Sequence, residues 1–196
     1  MVKYADRPST SVDVHIDAPP STVWPILVDI NAPAQFSQEF QGADWIDEGP
    51  ALGASFRGRN QHKVVGEWQA TCVVTAMEHE SCFEWTIGEP DFPAAQWRFD
   101  LEADGDGSRL TFTSRIGPAP SGLTPAIERM PNREEDIVAK RMGEHHANMQ
   151  RTVEDTSSSP SAAVEAHAAT DHSRSPPTRP PARTTNDPGV TTCRTH

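Results

Sequence analysis

Cysteine is scarce in this chain: three residues among 196, at positions 72, 82 and 193, an odd number at irregular spacing. Such a set does not make a disulfide framework, so reduced thiols are expected. A long apolar run is also missing. The longest, Val23-Trp24-Pro25-Ile26-Leu27-Val28, falls far short of the roughly 20 residues a membrane-spanning helix needs, and no basic segment near the N-terminus leads into an apolar stretch. No membrane insertion is expected, and a cytoplasmic location is. Neither HExxH nor CxxC spacing occurs, and His145 and His146, neighbours on a helix, would point about 100° apart, so they read as a solvated pair and no metal is expected. No glycine-rich phosphate loop is present either, since Gly53, Gly58, Gly66, Gly105 and Gly107 fall in strands and turns. No cofactor is expected. Basic charge is thin as well: 17 Lys+Arg stand against 28 Asp+Glu, and residues 1–155 hold 13 of the former and 25 of the latter, a net −12. A domain so charged repels phosphate backbones, which argues against a nucleic-acid partner.

What the chain does have is one stretch of sustained hydrophobic patterning, residues 9–155, behind an N-terminal extension of residues 1–8. A domain of about 150 residues buries roughly 68–70% of its unfolded surface and can fold on its core alone. Residues 156–196, rich in Ser, Thr, Pro, Ala and Arg and without apolar period, read as a disordered tail.

Along the domain, Val12, Val14 and Ile16 alternate with polar residues and predict a strand with one wet face. Ser21 or Thr22 can then cap a short helix with Val23, Trp24, Ile26, Leu27 and Ile30 on one side, and a second short helix is expected over Pro33 to Phe40. Strands follow from Ala43 to Gly49, with Trp45 inward, and from Ala54 to Lys63, with Phe56, Gly58, Asn60 and His62 on the inner face. A hairpin centred on His79-Glu80 would set Ala76 against Phe83, Val74 against Trp85 and Cys72 against Ile87, with Cys82 opposite Met77 on the other face. In Asp104-Gly105-Asp106-Gly107 a tight turn with positive φ pairs Leu101 with Leu110, Phe99 with Phe112 and Trp97 with Ser114. The period then becomes helical: Thr124 caps with Pro125 at the first helical position, Pro131-Asn132 interrupts, and Val138, Met142, His145, Met149 and Val153 mark one face of a long helix. These elements make an α+β domain with seven antiparallel strands, two short helices after the first strand and a long C-terminal helix.

Local segments agree with a known pattern. Ile16-Asp17-Ala18-Pro19 through Val23-Trp24, Asp29 one turn later, Gly66-Glu67-Trp68 to Cys72-Val73-Val74 and the following Phe83-x-Trp85 resemble the START and polyketide-cyclase (SRPBCC) superfamily. Glu144-His145-His146-Ala147-Asn148-Met149 is similar to the helix ending of its actinobacterial members. The resemblance covers residues 9–155 and implies the helix-grip fold of pollen-allergen-like carriers, a curved sheet wrapped around the last helix. The superfamily holds lipid carriers, aromatase/cyclases, hormone receptors, chaperone regulators and toxins, so fold alone does not choose the chemistry.

Phe56, Trp68, Trp85, Trp97, Phe99 and Phe112 on the inner face offer more aromatic surface than a helix stripe with Val138, Met142 and Met149 can cover. The competing expectations are a packed aromatic core and a cavity for a small hydrophobic ligand lined by those rings, Asn60, His62, Cys72, Met142 and His145. Asn60 and His62, the polar exceptions, need water, a ligand oxygen or each other, and are the weak catalytic candidates. Cys72 would need a base beside it to act as a nucleophile. The leading expectation is a carrier for a lipophilic metabolite. A polyketide cyclase/aromatase is the alternative, since a pocket that folds a poly-β-ketone needs little further machinery. A protein-interaction module using the outer surface is the third.

Overall fold

The computed structural model describes residues 2–158 apart from 36, 64 and 65. Seven strands, β1 (Ser9–Ile16), β2 (Phe40–Trp45), β3 (Ser55–His62), β4 (Gly66–Glu78), β5 (Cys82–Glu89), β6 (Phe92–Asp104) and β7 (Gly107–Ile116), form one antiparallel sheet in the order β1-β7-β6-β5-β4-β3-β2. The sheet curls, and its concave side faces α1 (Pro20–Leu27) and the long α3 (Glu134–Ser158), with a short α2 (Thr124–Arg129) before it. At 1.5 Å per residue the 25 residues of α3 reach about 37 Å. The helix packs chiefly on β1 and only lightly on β7, so it lies along one edge of the sheet. Residues 156–158 continue α3, and the rest of the segment expected as a disordered tail lies outside the described residues.

The β6–β7 hairpin has the expected register throughout, Leu101 against Leu110, Phe99 against Phe112 and Trp97 against Ser114. Positive φ is confined to Gly105, at 64°, so the turn needs one left-handed residue and not two. Gly107 is required for a different reason: a Cβ there would run into the carbonyl oxygen of Ile16.

Several boundaries move. Neither Ser21 nor Thr22 caps α1, because Pro20 takes the first helical position, which its fixed φ suits, and Pro19 is the capping residue. Leu123 likewise replaces Thr124 as the residue capping α2. The helix expected over Pro33 to Phe40 is a single 3₁₀ turn, Ala32–Gln35. Ser37 ends it: its hydroxyl accepts the backbone N–H groups of Glu39 (3.1 Å) and Phe40 (2.8 Å), and the chain enters β2 three residues before the expected Ala43. In the β4–β5 hairpin a bulge between Val74 and Ala76 leaves the pairs Val74–Trp85 and Cys72–Ile87 in place but sets Met77, not Ala76, against Phe83, and Glu78, not Met77, against Cys82. Met77 thereby turns toward the core. Cys72 and Cys82 are free and buried on opposite faces.

Candidate functional site

Strand register arranges the concave face in rows. Leu101–Leu110–Val14 forms one, Phe83–Phe99–Phe112–Val12 the next, then Val74–Trp85–Trp97–Ser114–Thr10, then Phe56–Cys72–Ile87–Ala95–Ile116, and at the far end Phe40–Asn60–Trp68. Burial changes along this series. Phe83, Phe99 and Phe112 are buried and packed on one another, with the Phe99 and Phe112 centroids 4.1 Å apart. No member of the Phe40–Asn60–Trp68 row is buried, and Trp85, Trp97 and Ile87 are half-buried. Because α3 lies over β1, it covers Thr10 and Ser114, whereas the inward side chains toward β3–β5 include several that are only half-buried.

The expected site residues divide accordingly. Phe56, Cys72, Phe99, Phe112 and His145 are buried, whereas Asn60, His62, Trp68, Trp85 and Trp97 on the sheet and Met142 on α3 are half-buried. Among the described residues, Trp68 and Met142 are half-buried without joining the packed core, while Trp85 and Trp97 do pack against it. Trp85 is the hinge between the two regions, its ring within 5.5 Å of Phe83, 5.7 Å of Phe99 and 6.5 Å of Trp97. At the closed end, beside Phe99, a crevice of about 10 Å³ between Ile26, Leu27, Thr152 and Thr156 has room for about one water. A larger depression of about 130 Å³ sits on the convex face among Glu84, Gln96, Arg98, Thr113 and Arg115. Its lining is polar, and Arg98 there is already held by Glu84 and Asp100, so it does not suit an apolar ligand.

The histidine pair is not a solvated one. His146 is exposed but its Nδ1 lies 3.1 Å from Thr10 Oγ1, while His145 is buried, 2.8 Å from Ser114 Oγ and with its ring centroid 4.8 Å from that of Trp97. Burial, reinforced by the positive charge of Arg141, pushes the His145 pKa down to about 3, so the imidazole is neutral at neutral pH. Burial pushes the Cys72 thiol up to about 12, which removes it as a nucleophile. Arg141 reaches from α3 to Glu39, just ahead of β2, with contacts of 2.5 and 2.8 Å, and also meets Glu144 at 3.2 Å. Arg141 thus ties the helix, which lies along one sheet edge, to the opposite edge. Sequence reasoning missed it, because Glu39 and Arg141 lie 102 residues apart in no local pattern. Ser114 carried a readable signal, a hydroxyl between Phe112 and Ile116 on the apolar face of its strand.

A curled seven-stranded antiparallel sheet with a long C-terminal helix on its concave side is an arrangement known from other proteins. The family described as polyketide cyclase/dehydrase and lipid transport matches residues 7–154. The chain belongs to this family. Family and fold make it a hydrophobic-ligand-binding or cyclase/dehydrase-type protein. Among solved structures it is similar to the Polyketide_cyc-like protein Cgl2372 of Corynebacterium glutamicum, at 22% identity and a TM-score of 0.54 over 85% of this chain and 97% of that one. It also resembles TTHA0849 of Thermus thermophilus, at 12% identity and a TM-score of 0.51 over 76% and 100% of the two chains. CV1439 of Chromobacterium violaceum matches at 12% identity and a TM-score of 0.50, over 74% and 92%. These likenesses establish the shared fold. Comparison with curated proteins gives no match. No helix among the described residues is long and apolar enough to cross a membrane.

Proposed function

We propose that this family member is a binding or carrier protein that holds a small hydrophobic molecule, lipid- or polyketide-like, on the concave face between sheet and α3. The change in burial along that face carries the reading: the rings at one end pack on one another, while Trp68, Trp85, Trp97 and Met142 keep apolar surface in reach of a ligand. A fully packed core would bury all of them. The carrier is favoured over the cyclase/aromatase by the state of two inward groups that proton transfer or nucleophilic attack would use. Cys72 is a protonated thiol and His145 a neutral imidazole whose pKa lies far below the working range of a general acid or base.

Native mass spectrometry of gently purified protein tests the reading: a retained lipophilic molecule supports it, and a chain that neither retains one nor takes one up opposes it. Replacing both Asn60 and His62 with Leu separates carrier from enzyme. A carrier keeps its affinity within about tenfold, because the lost hydrogen bonds contribute little beside apolar burial. An enzyme relying on them loses turnover of a poly-β-ketone by about 10²–10⁴.

A further inference from the structure

We propose that Ser114 and His145 form a polar seat in the wall of this groove, and that it selects a flat, uncharged ligand bearing a hydrogen-bond-accepting oxygen, such as a ring ketone. The inference rests on the groove reading above and adds the class of ligand. Hydrogen-bond accounting assigns the tautomer. Ser114 Oγ and His145 Nδ1 are 2.8 Å apart, and among the described residues neither side chain has a further hydrogen-bond partner. If the hydroxyl donates, its proton and the Nδ1 lone pair are both used, and the imidazole proton sits on Nε2 as the one donor left over. The opposite assignment leaves both the hydroxyl proton and the Nε2 lone pair unmet, the costlier arrangement for two buried side chains. Ser114 therefore acts through His145 as a positioning residue, leaving Nε2–H available to an acceptor. Trp97, half-buried with its ring 4.8 Å from that of His145, puts the seat beside an open aromatic surface on which a flat ring can lie.

The surrounding charges narrow the ligand further. Arg141, one turn before His145 on α3, is engaged by both Glu39 and Glu144, so two carboxylates already share one guanidinium. A carboxylate ligand entering there would give up its hydration without gaining a free cation, and the neutral imidazole offers it no charge. A plain hydrocarbon leaves the Nε2 donor unmet. A carbonyl oxygen on a planar ring satisfies the donor and adds no charge.

The test compares three probes of one shape, fluorene, 9-fluorenone and fluorene-9-carboxylate, on the full chain. Wild type should bind the first two and take the carboxylate most weakly. In His145→Leu the preference for fluorenone, read as the ratio of the two Kd values, should fall about three- to tenfold, the worth of one hydrogen bond. His145→Gln, which keeps an N–H donor, should retain part of that preference. Ser114→Ala should lower it too, and ¹⁵N spectra should show the single Nε2–H tautomer of the wild type giving way to a mixture. The wild-type tautomer and the lowered carbonyl stretch of bound fluorenone remain decisive should the His145 variants fail to fold. An unchanged ratio in the variants, or a wild-type proton on Nδ1, overturns this inference and leaves the groove reading standing. Binding of neither neutral probe to wild type overturns both.

Discussion

Two aromatic truncations at opposite ends of the concave face should behave in opposite ways. Phe99 is 3% exposed and stacked 4.1 Å from Phe112, so Phe99→Ala opens a void that its neighbours cannot fill. The cost is about 3–5 kcal/mol, and at about 2–4 °C per kcal/mol for a domain of this size the Tm should fall by about 6–20 °C. Trp68 is half-buried and stands apart from the packed core. Trp68→Ala should cost about 1 kcal/mol or less, a shift of about 2–4 °C. Its effect belongs in binding. A ligand ring laid on Trp68 covers about 60–80 Å² of apolar surface, which at about 25 cal/mol per Å² is about 1.5–2 kcal/mol, or about 10–30-fold in Kd. Thermal unfolding followed by circular dichroism gives the first quantity, and fluorescence titration with the neutral probe N-phenyl-1-naphthylamine gives the second. Should Trp68→Ala destabilise as much as Phe99→Ala and leave probe affinity alone, the face is packed along its whole length and the groove does not exist.

Three further outcomes follow from local geometry. Gly107→Ala should destabilise by about 1–3 kcal/mol through the clash with the Ile16 carbonyl, whereas Asp106→Ala should be nearly neutral because only Gly105 has positive φ, as urea midpoints would show. Glu39→Gln, which breaks a largely buried ion pair from one side, should cost about 1–3 kcal/mol, and the exchange Glu39→Arg with Arg141→Glu should recover part of it in equilibrium unfolding. His145 has a folded pKa of about 3 against an ordinary 6.5, so between those values the unfolded chain binds the extra proton and stability is lost as pH falls, by up to about 1.4 kcal/mol per pH unit. The difference in unfolding free energy between wild type and His145→Gln, measured from pH 7 to pH 4, should shrink as pH drops; a constant difference contradicts the assignment.

The parts of the fold legible in the sequence are those set by alternation and by turn chemistry. Asp104-Gly105-Asp106-Gly107 fixes one register only, and every pair read from it is present. Alternation cannot reveal the bulge at Thr75, because the apolar pattern resumes on both sides of it, so the pairing beyond Val74 slips by one residue. The stop at Ser37 depends on a hydroxyl choosing two backbone N–H groups over solvent, a choice that composition does not encode. Away from that bulge, which turns Met77 inward in place of Ala76, the inward-facing residues were readable from parity. Which end of that face stays open was not, because exposure depends on where α3 comes to rest, and it rests on β1. For the same reason His145, read both as one of a solvated pair and as a lining residue of the inner face, gains its partner Ser114 solely from the docking of helix on sheet.

Tryptophan resonances test the central claim most directly. The chain has 5 tryptophans, of which Trp68, Trp85 and Trp97 are half-buried toward the β3–β5 part of the concave face, while Trp24 is a buried residue of α1 with its ring 5.8 Å from that of His79. With 5-fluorotryptophan incorporated and each resonance assigned by substitution, titration with N-phenyl-1-naphthylamine should shift the signals of Trp68, Trp85 and Trp97 along one saturable curve and leave Trp24 in place. Saturable binding that moves Trp24 and spares those three, or no saturable binding at all, would contradict a ligand held between the sheet and the C-terminal helix.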